Sequence, residues 1–207
     1  SSEFTDAVLG TIGHKDVIVA VSQSGETADT IEAVRKAREK GATILSITNV
    51  VGSSITQLSD HVICTQAGPE IGVAATKTFM TQVATLALLS LELSKISGVL
   101  NSNEIQSLRR SLLDTPRLVE SVIEKLEGTV IRTAEKYYSR PNFLFLGRGI
   151  STATAMEGAL KLKEISYAHA EGYPAGESKH GPISLVEPGF PVVFIAPPDQ
   201  TYERLIG

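Results

Sequence analysis

The sequence predicts an α/β fold built on parallel sheets, and three observations predict it. The run Val17-Ile18-Val19-Ala20-Val21 is short, largely β-branched and without polar alternation, as a strand buried on both faces of a parallel sheet is. A helical stretch from Ala28 follows, with Ile31, Val34 and Ala37 at helical spacing and Gly41 after Lys40 as its stop signal, and then a second strand over residues 43–48. Much later, Phe143-Leu144-Phe145-Leu146 again precedes a glycine-containing turn, residues 147–151, and a helix to about Tyr167. Strands that alternate with helices put ligands at the carboxyl ends of the strands.

The turn after the first strand, Ser22-Gln23-Ser24-Gly25-Glu26-Thr27, stands at such an end and at the amino end of a helix, where unpaired N–H groups favour an anion. Ser22, Ser24 and Thr27 add hydroxyl donors, Gln23 adds an amide, and Gly25 lets the backbone come close. No lysine or arginine lies in the turn, and it matches neither a nucleotide P-loop nor a dinucleotide fingerprint. A neutral, hydroxyl-rich cradle suits a single phosphate monoester. The plain alternative is a βα turn whose serines cap the helix.

Beyond the second strand, a loop and a short helix over residues 54–58 lead to a third strand, residues 61–64. The glycine-rich segment 68–77 opens a long helix to about Ile96, with Val83, Ala84, Ala87, Leu88 and Leu91 on its apolar side. The polar break 97–103 is the expected domain boundary, and three helices are expected after it, over 104–113, 116–126 and 129–138. A last strand is expected over 192–196.

The totals exclude several classes. With 207 residues, 42% hydrophobic and 20% charged, the chain is ordinary globular material. A net charge of −4 and 5% aromatic residues give neither a basic face nor stacking platforms for nucleic acid. Cys64, the single cysteine, is expected to be buried and inert. The apolar stretch 83–93 is too short to span a bilayer and reads as a core helix. Residues 1–4 show no signal-peptide pattern, and without an initial methionine the chain is expected to be an excised fragment.

On the helix after residue 150, Glu157, Lys161 and Glu164 fall at i, i+4 and i+7, which sets two carboxylates and an ammonium on one face. The other faces carry Met156, Leu160, Leu162 and Ile165. A solvated ion-pair stripe would look the same. A carboxylate and an ammonium so placed could equally carry a proton between adjacent atoms of a ligand and balance the charge on its oxygen. Flanked by two carboxylates, Lys161 is expected to stay protonated. His180 lies in a loop ended by Gly181-Pro182, and no metal spacing exists among the four histidines. His61 and His169 are expected to be structural and His14 to lie on the surface.

Several strings resemble the sugar isomerase (SIS) domain, in the arrangement of the isomerase half of the glutamine:fructose-6-phosphate amidotransferases. They are Ser22-Gln23-Ser24-Gly25-Glu26-Thr27, the run from Glu157-Gly158-Ala159-Leu160-Lys161 to Glu164-Ile165-Ser166-Tyr167, and Gly176-Glu177-Ser178-Lys179-His180-Gly181-Pro182. The resemblance implies a flavodoxin-like, doubly wound SIS-type sandwich in two tandem halves. Residues 1–100 would be the first half without its first strand, and residues 101–207 the second without its last strands and carboxyl-terminal tail.

It further implies that Ser22, Gln23, Ser24 and Thr27 hold the sugar phosphate, and that Glu164 is the proton carrier with Glu157 and Lys161 beside it. His180 would open the sugar ring from the neighbouring subunit. The segment from Glu70 resembles the family's Glu-Ile-Gly-Val-Ala-Ser-Thr-Lys, but Ala75 replaces its serine, so only the backbone of Val73 carries over. The implied whole is a cytoplasmic homodimeric transferase of amino sugar biosynthesis, with no cofactor and no metal. It would join a glutaminase domain to this portion and make glucosamine 6-phosphate from fructose 6-phosphate. The chain alone is expected to be inactive, because the family's imine-forming lysine lies in the tail. Two alternatives stand beside this: a stand-alone SIS phosphosugar deaminase or ketosamine deglycase, and a non-catalytic phosphosugar sensor, which needs the cradle but not Glu157, Lys161, Glu164 and His180.

Overall fold

The computed structural model describes residues 2–206; Ser1 and Gly207, the outer ends of the two expected halves, lie outside the described residues. The chain divides into two compact units, Ser1–Thr115 and Pro116–Gly207.

In the first unit α1 (Phe4–Ala7) precedes β1 (Val17–Ser22), α2 (Ala28–Glu39), β2 (Thr43–Thr48), α3 (Ser54–Gln57), β3 (His61–Cys64) and α4 (Lys77–Ile96). The sheet runs β1-β2-β3, parallel throughout, with Val17 opposite Thr43 and Leu45 opposite His61. One of its faces buries Ala20 and Ile44 against Val34 and Ala37 of α2 and Ile55 of α3, with Phe4, Ile12, Ile18 and Leu58 around them. Burial on both faces, expected for β1, is not found. Alternate residues of a strand point to opposite faces. Val17, Val19 and Val21 are 61%, 41% and 36% exposed, because the helices that cover Ala20 lie on the other side.

The long apolar helix also departs from expectation. Only Thr78 and Leu91 of α4 are buried, while Val83, Leu88 and Leu93 stay exposed, so within the described residues it is not a core helix. By length and composition alone α4 could cross a membrane. Near its far end Glu92 pairs with Arg109. Its start is fixed by Glu70, whose Oε2 accepts the N–H groups of Thr76 and Thr78 at 3.1 Å and the Thr78 hydroxyl at 2.7 Å. These bonds, chiefly those from Thr78, lower the Glu70 pKa from 4.5 to about 2. A folded-state pKa below the unfolded one gives stability that is complete above pH 4.5 and is lost as pH falls toward 2. Urea midpoints of the wild type and Glu70→Gln are therefore expected to differ at pH 6 and to converge as the pH drops through that window.

The three helices expected after residue 103 are one, α5 (Ser102–Tyr137), with Pro116 inside it. A capping box sets its start: the Asn101 side chain accepts the N–H groups of Asn103 and Glu104, and the Glu104 carboxylate accepts that of Asn101 at 2.8 Å. Pro116 removes one backbone bond, a change that costs an interior helix about 3 kcal/mol, yet no glycine inside the helix takes a left-handed conformation to end it, and a Cβ at Gly128 would make only ordinary contact, 3.5 Å, with the Arg132 guanidinium. The division between the two compact units falls within the residues of this helix, between Thr115 and Pro116.

In the second unit β4 (Asn142–Gly147) leads to α6 (Ser151–Ser166), β5 (His169–Pro174), two short 3-10 turns (Ala175–His180 and Pro182–Leu185), β6 (Val192–Ile195) and α7 (Tyr202–Ile206). The parallel sheet has the order β5-β4-β6. β5 has no counterpart in the sequence reading, since His169-Ala170-Glu171-Gly172-Tyr173-Pro174 lacks an apolar run; pairing along β4 makes it a strand.

α6 sits on this sheet through small residues. Ala155 and Ala159 are buried, whereas Met156, Leu160 and Ile165, expected on apolar faces, are exposed. A Cβ at Gly172 would lie 2.4 Å from the Cα of Met156, and one at Gly147 would lie 2.1 Å from the carbonyl oxygen of Ser151. Glycine at both positions lets the helix come this close.

Candidate functional site

The turn after β1 is held from within. Ser22 is buried and its hydroxyl accepts the Gly25 N–H at 3.0 Å, while the same oxygen lies 3.0 Å from the Thr27 hydroxyl. Ser22 has one proton to give. When it donates to Thr27, the Thr27 proton is left for a ligand. Thr27 is the N-cap of α2 but makes no side-chain cap bond, so the helix's first N–H groups are not closed off by it. The Ser24 hydroxyl accepts the Glu26 N–H at 3.1 Å, which likewise leaves its own proton free. Gly25 takes φ 69°, and a side chain there would strike Ser53 at 2.1 Å. The four expected residues of the turn thus come together, with Ser22 turned inward and Gln23, Ser24 and Thr27 more open.

Val73, carried over from the family for its backbone, lies in the irregular segment before α4 and is 90% exposed. A residue that the sequence reading passed over connects this region to the turn. Asn49, just past the carboxyl end of β2, donates its N–H to the Gln23 carbonyl at 3.0 Å and its amide to the Gly68 carbonyl at 2.7 Å. Its Oδ1 accepts from Thr65 and from the Ala67 N–H. Its place at a strand's carboxyl end was the signal that could have found it.

In the second unit the three residues spaced on α6 meet as their spacing requires. Lys161 Nζ lies 2.6 Å from Glu164 Oε2 and 3.3 Å from Glu157 Oε1. All three side chains are about three-quarters buried, at 22%, 24% and 28% exposure, so the cluster is not a fully solvated stripe. The hydrogen bond to Glu164, and to a lesser extent that to Glu157, raises the Lys161 pKa, and the ammonium is retained. His180 ends the 3-10 turn after β5 and is exposed, with no hydrogen bond to this cluster. His169 and His61, expected to be structural, are exposed too, and the former pairs with Glu171 at 3.2 Å. Cys64 is half-buried rather than buried. Among the described residues no group of three or more His, Cys, Asp or Glu could hold a metal ion.

The chain belongs to the SIS domain family, whose profile matches residues 1–91 and 136–205; the two segments fit the tandem halves. Along its whole length it is 50% identical to the glutamine–fructose-6-phosphate aminotransferase (isomerizing) of Aquifex aeolicus, of which it covers 33%. The enzyme of that name from Pyrobaculum aerophilum is 51% identical over 92% of the chain and 31% of its own length. Among solved structures, the C-terminal domain of glucosamine-fructose-6-phosphate aminotransferase from Francisella tularensis superposes with a TM-score of 0.88 at 42% identity, over 91% of this chain and 53% of that one. The chain spans about a third of the length of the curated relatives it matches, and it is similar to their SIS portion.

Proposed function

We propose that this chain is the isomerase portion of an enzyme that converts fructose 6-phosphate and glutamine-derived ammonia to glucosamine 6-phosphate, a transferase acting in amino sugar biosynthesis. The observation that carries the reading is Lys161 held between Glu157 and Glu164, all three side chains about three-quarters buried. The sugar phosphate would rest in the turn, on Gln23, Ser24 and Thr27, with Ser22 holding the turn's shape and the backbone near Val73 at its border. Once the ring is open and ammonia has condensed with the C2 carbonyl, with loss of water, to form a ketimine, Glu164 would take a proton from C1 and return it to C2. The C1 hydroxyl gives up its proton to become the aldehyde carbonyl, and the imine nitrogen takes that proton to become the amine on C2. Lys161 would balance the charge on the enediol-type oxygen, with Glu157 holding the ammonium in place. His180 would open the ring.

A glutaminase domain in the same polypeptide would supply the ammonia, and the whole enzyme would be a cytoplasmic homodimer with His180 given across its interface. The exposed apolar row Leu118, Val122 and Leu126 on α5 supports a partner surface, and the exposure of His180 is compatible with service to another subunit. A pure sensor would have no use for the Lys161 cluster, and the relatives' names favour amidotransfer over deamination.

Calorimetry tests the cradle. The chain is expected to bind fructose 6-phosphate but not fructose, and Ser24→Ala to bind about tenfold more weakly, the size of one lost hydrogen bond to a charged group. Equal binding of the unphosphorylated sugar would remove the cradle from the reading.

A further inference from the structure

Glu26 is the one acidic residue of the turn, and a carboxylate beside a phosphate site should weaken it by repulsion. Its side chain is engaged elsewhere. Oε1 accepts the Ser54 N–H at 2.7 Å and Oε2 accepts the Ser54 hydroxyl at 2.6 Å, so the carboxylate is spent on the first residue of α3, across the β2 strand in sequence. The hydroxyl bond first and the N–H bond second lower its pKa, which keeps it an acceptor at neutral pH. The next residue back is fastened to the same place. The Gly25 carbonyl accepts the Ile55 N–H at 3.0 Å, and the Gly25 Cα faces Ser53 so closely that a methyl group would overlap its hydroxyl. Ser53 is itself fixed by donating to the Val50 carbonyl at 2.9 Å.

The consequence for the turn runs through its backbone. With its carboxylate and the preceding carbonyl both tied to α3, the peptide of Glu26 is held in one orientation, and its N–H meets the Ser24 hydroxyl. The Gly25 N–H is held toward Ser22 in the same way. Both hydroxyl oxygens then accept a hydrogen bond from the backbone and keep their own protons to donate, Ser22 toward Thr27 and Ser24 toward another acceptor.

We propose that Glu26 is a positioning residue of the phosphate cradle: its carboxylate, clamped to the backbone and hydroxyl of Ser54, fixes the peptides that aim Ser24 and Thr27 at the phosphate. It acts through the turn and touches no substrate. The second βα connection of the sheet thereby becomes part of the site formed by the first. This inference rests on the reading of the turn as a phosphate site.

The test compares Glu26→Ala, Glu26→Gln, Ser54→Ala and Ser24→Ala with the wild-type chain, titrating inorganic phosphate and fructose 6-phosphate by calorimetry, with melting curves to establish that each variant is folded. Glutamine can still accept the Ser54 N–H and can donate its amide to the Ser54 hydroxyl, so it preserves the clamp without the charge. Glu26→Ala is expected to weaken both ligands about tenfold and Ser54→Ala severalfold, while Glu26→Gln stays within about threefold of wild type. Rescue by glutamine is the result a general loss of stability would not give. If Glu26→Ala fails to fold, Ser54→Ala against Glu26→Gln decides the matter in the same sense. Wild-type affinity in Glu26→Ala or in Ser54→Ala, with Ser24→Ala weakened, overturns the positioning role and leaves the cradle standing. Equal loss in Glu26→Gln and Glu26→Ala overturns it as well, since the charge and not the clamp would then matter. No phosphate binding by the wild type overturns both readings together.

Discussion

Glu164→Gln in the complete enzyme is expected to lower sugar-phosphate isomerisation by ~10²–10⁴-fold, the range usual for the loss of a general base. Glutamine keeps the shape of the side chain and an oxygen that can accept from Lys161, so the 2.6 Å contact has a substitute, but the group can no longer take a proton from carbon and give it back. Lys161 loses the partner that contributes most to its raised pKa and retains Glu157 at 3.3 Å, so the pKa is expected to move down toward its ordinary value. Affinity for the phosphosugar is expected to change little, because the phosphate contacts belong to the turn after β1. Turnover and binding measured on the same protein check this. Near-normal turnover would return Glu164 to an ion-pair role and move the search for the base to Glu157.

Gly147→Ala is expected to destabilise the second unit by about 3 kcal/mol, at the upper end of ordinary overpacking. The added Cβ would lie 2.1 Å from the Ser151 carbonyl oxygen, 2.3 Å from its carbon and 2.7 Å from the Thr152 nitrogen. All three atoms are backbone at the start of α6. No side chain can swing aside, so the helix has to lift from β4, and Thr152, whose hydroxyl bonds the Gly147 carbonyl at 3.0 Å, has to let go. Glu157, Lys161 and Glu164 ride on that helix, so the variant is expected to lose activity as well as stability. Urea denaturation beside Gly13→Ala, where a methyl group would meet nothing within 4 Å, is the measurement. A midpoint as high as the control's would mean that α6 stands farther from β4 than described here.

Much of the fold was legible because its signals are local. β2 and β3 occupy the expected residues, and β1 and β4 differ from expectation only at their ends, since short apolar runs between glycine and polar turns leave few other choices. The join of three expected helices into α5 was not legible. Pro116 reads as a boundary in a linear scan, and only a helix that continues through it shows that the missing bond was tolerated. β5 was missed for the opposite reason. Its residues have little strand propensity, and their conformation comes from six register partners on β4.

The sequence by itself determined the Lys161 cluster, because residues at i, i+3 and i+4 share a face on any α-helix, and it determined the position of the hydroxyl-rich turn between strand and helix. Tertiary structure alone decided which way those hydroxyls face. Ser22 looks like an open donor in the string and is a buried brace in the fold. Glu26 finds Ser54 and Asn49 ties Gln23 to Gly68 across intervening strands and loops, so no periodicity or motif spacing records either bond. Which face of β1 is covered was also outside the string: an apolar run reports only that burial would be favourable, whereas the helices' side of the sheet decides that Ile18 and Ala20 obtain it and the three valines do not.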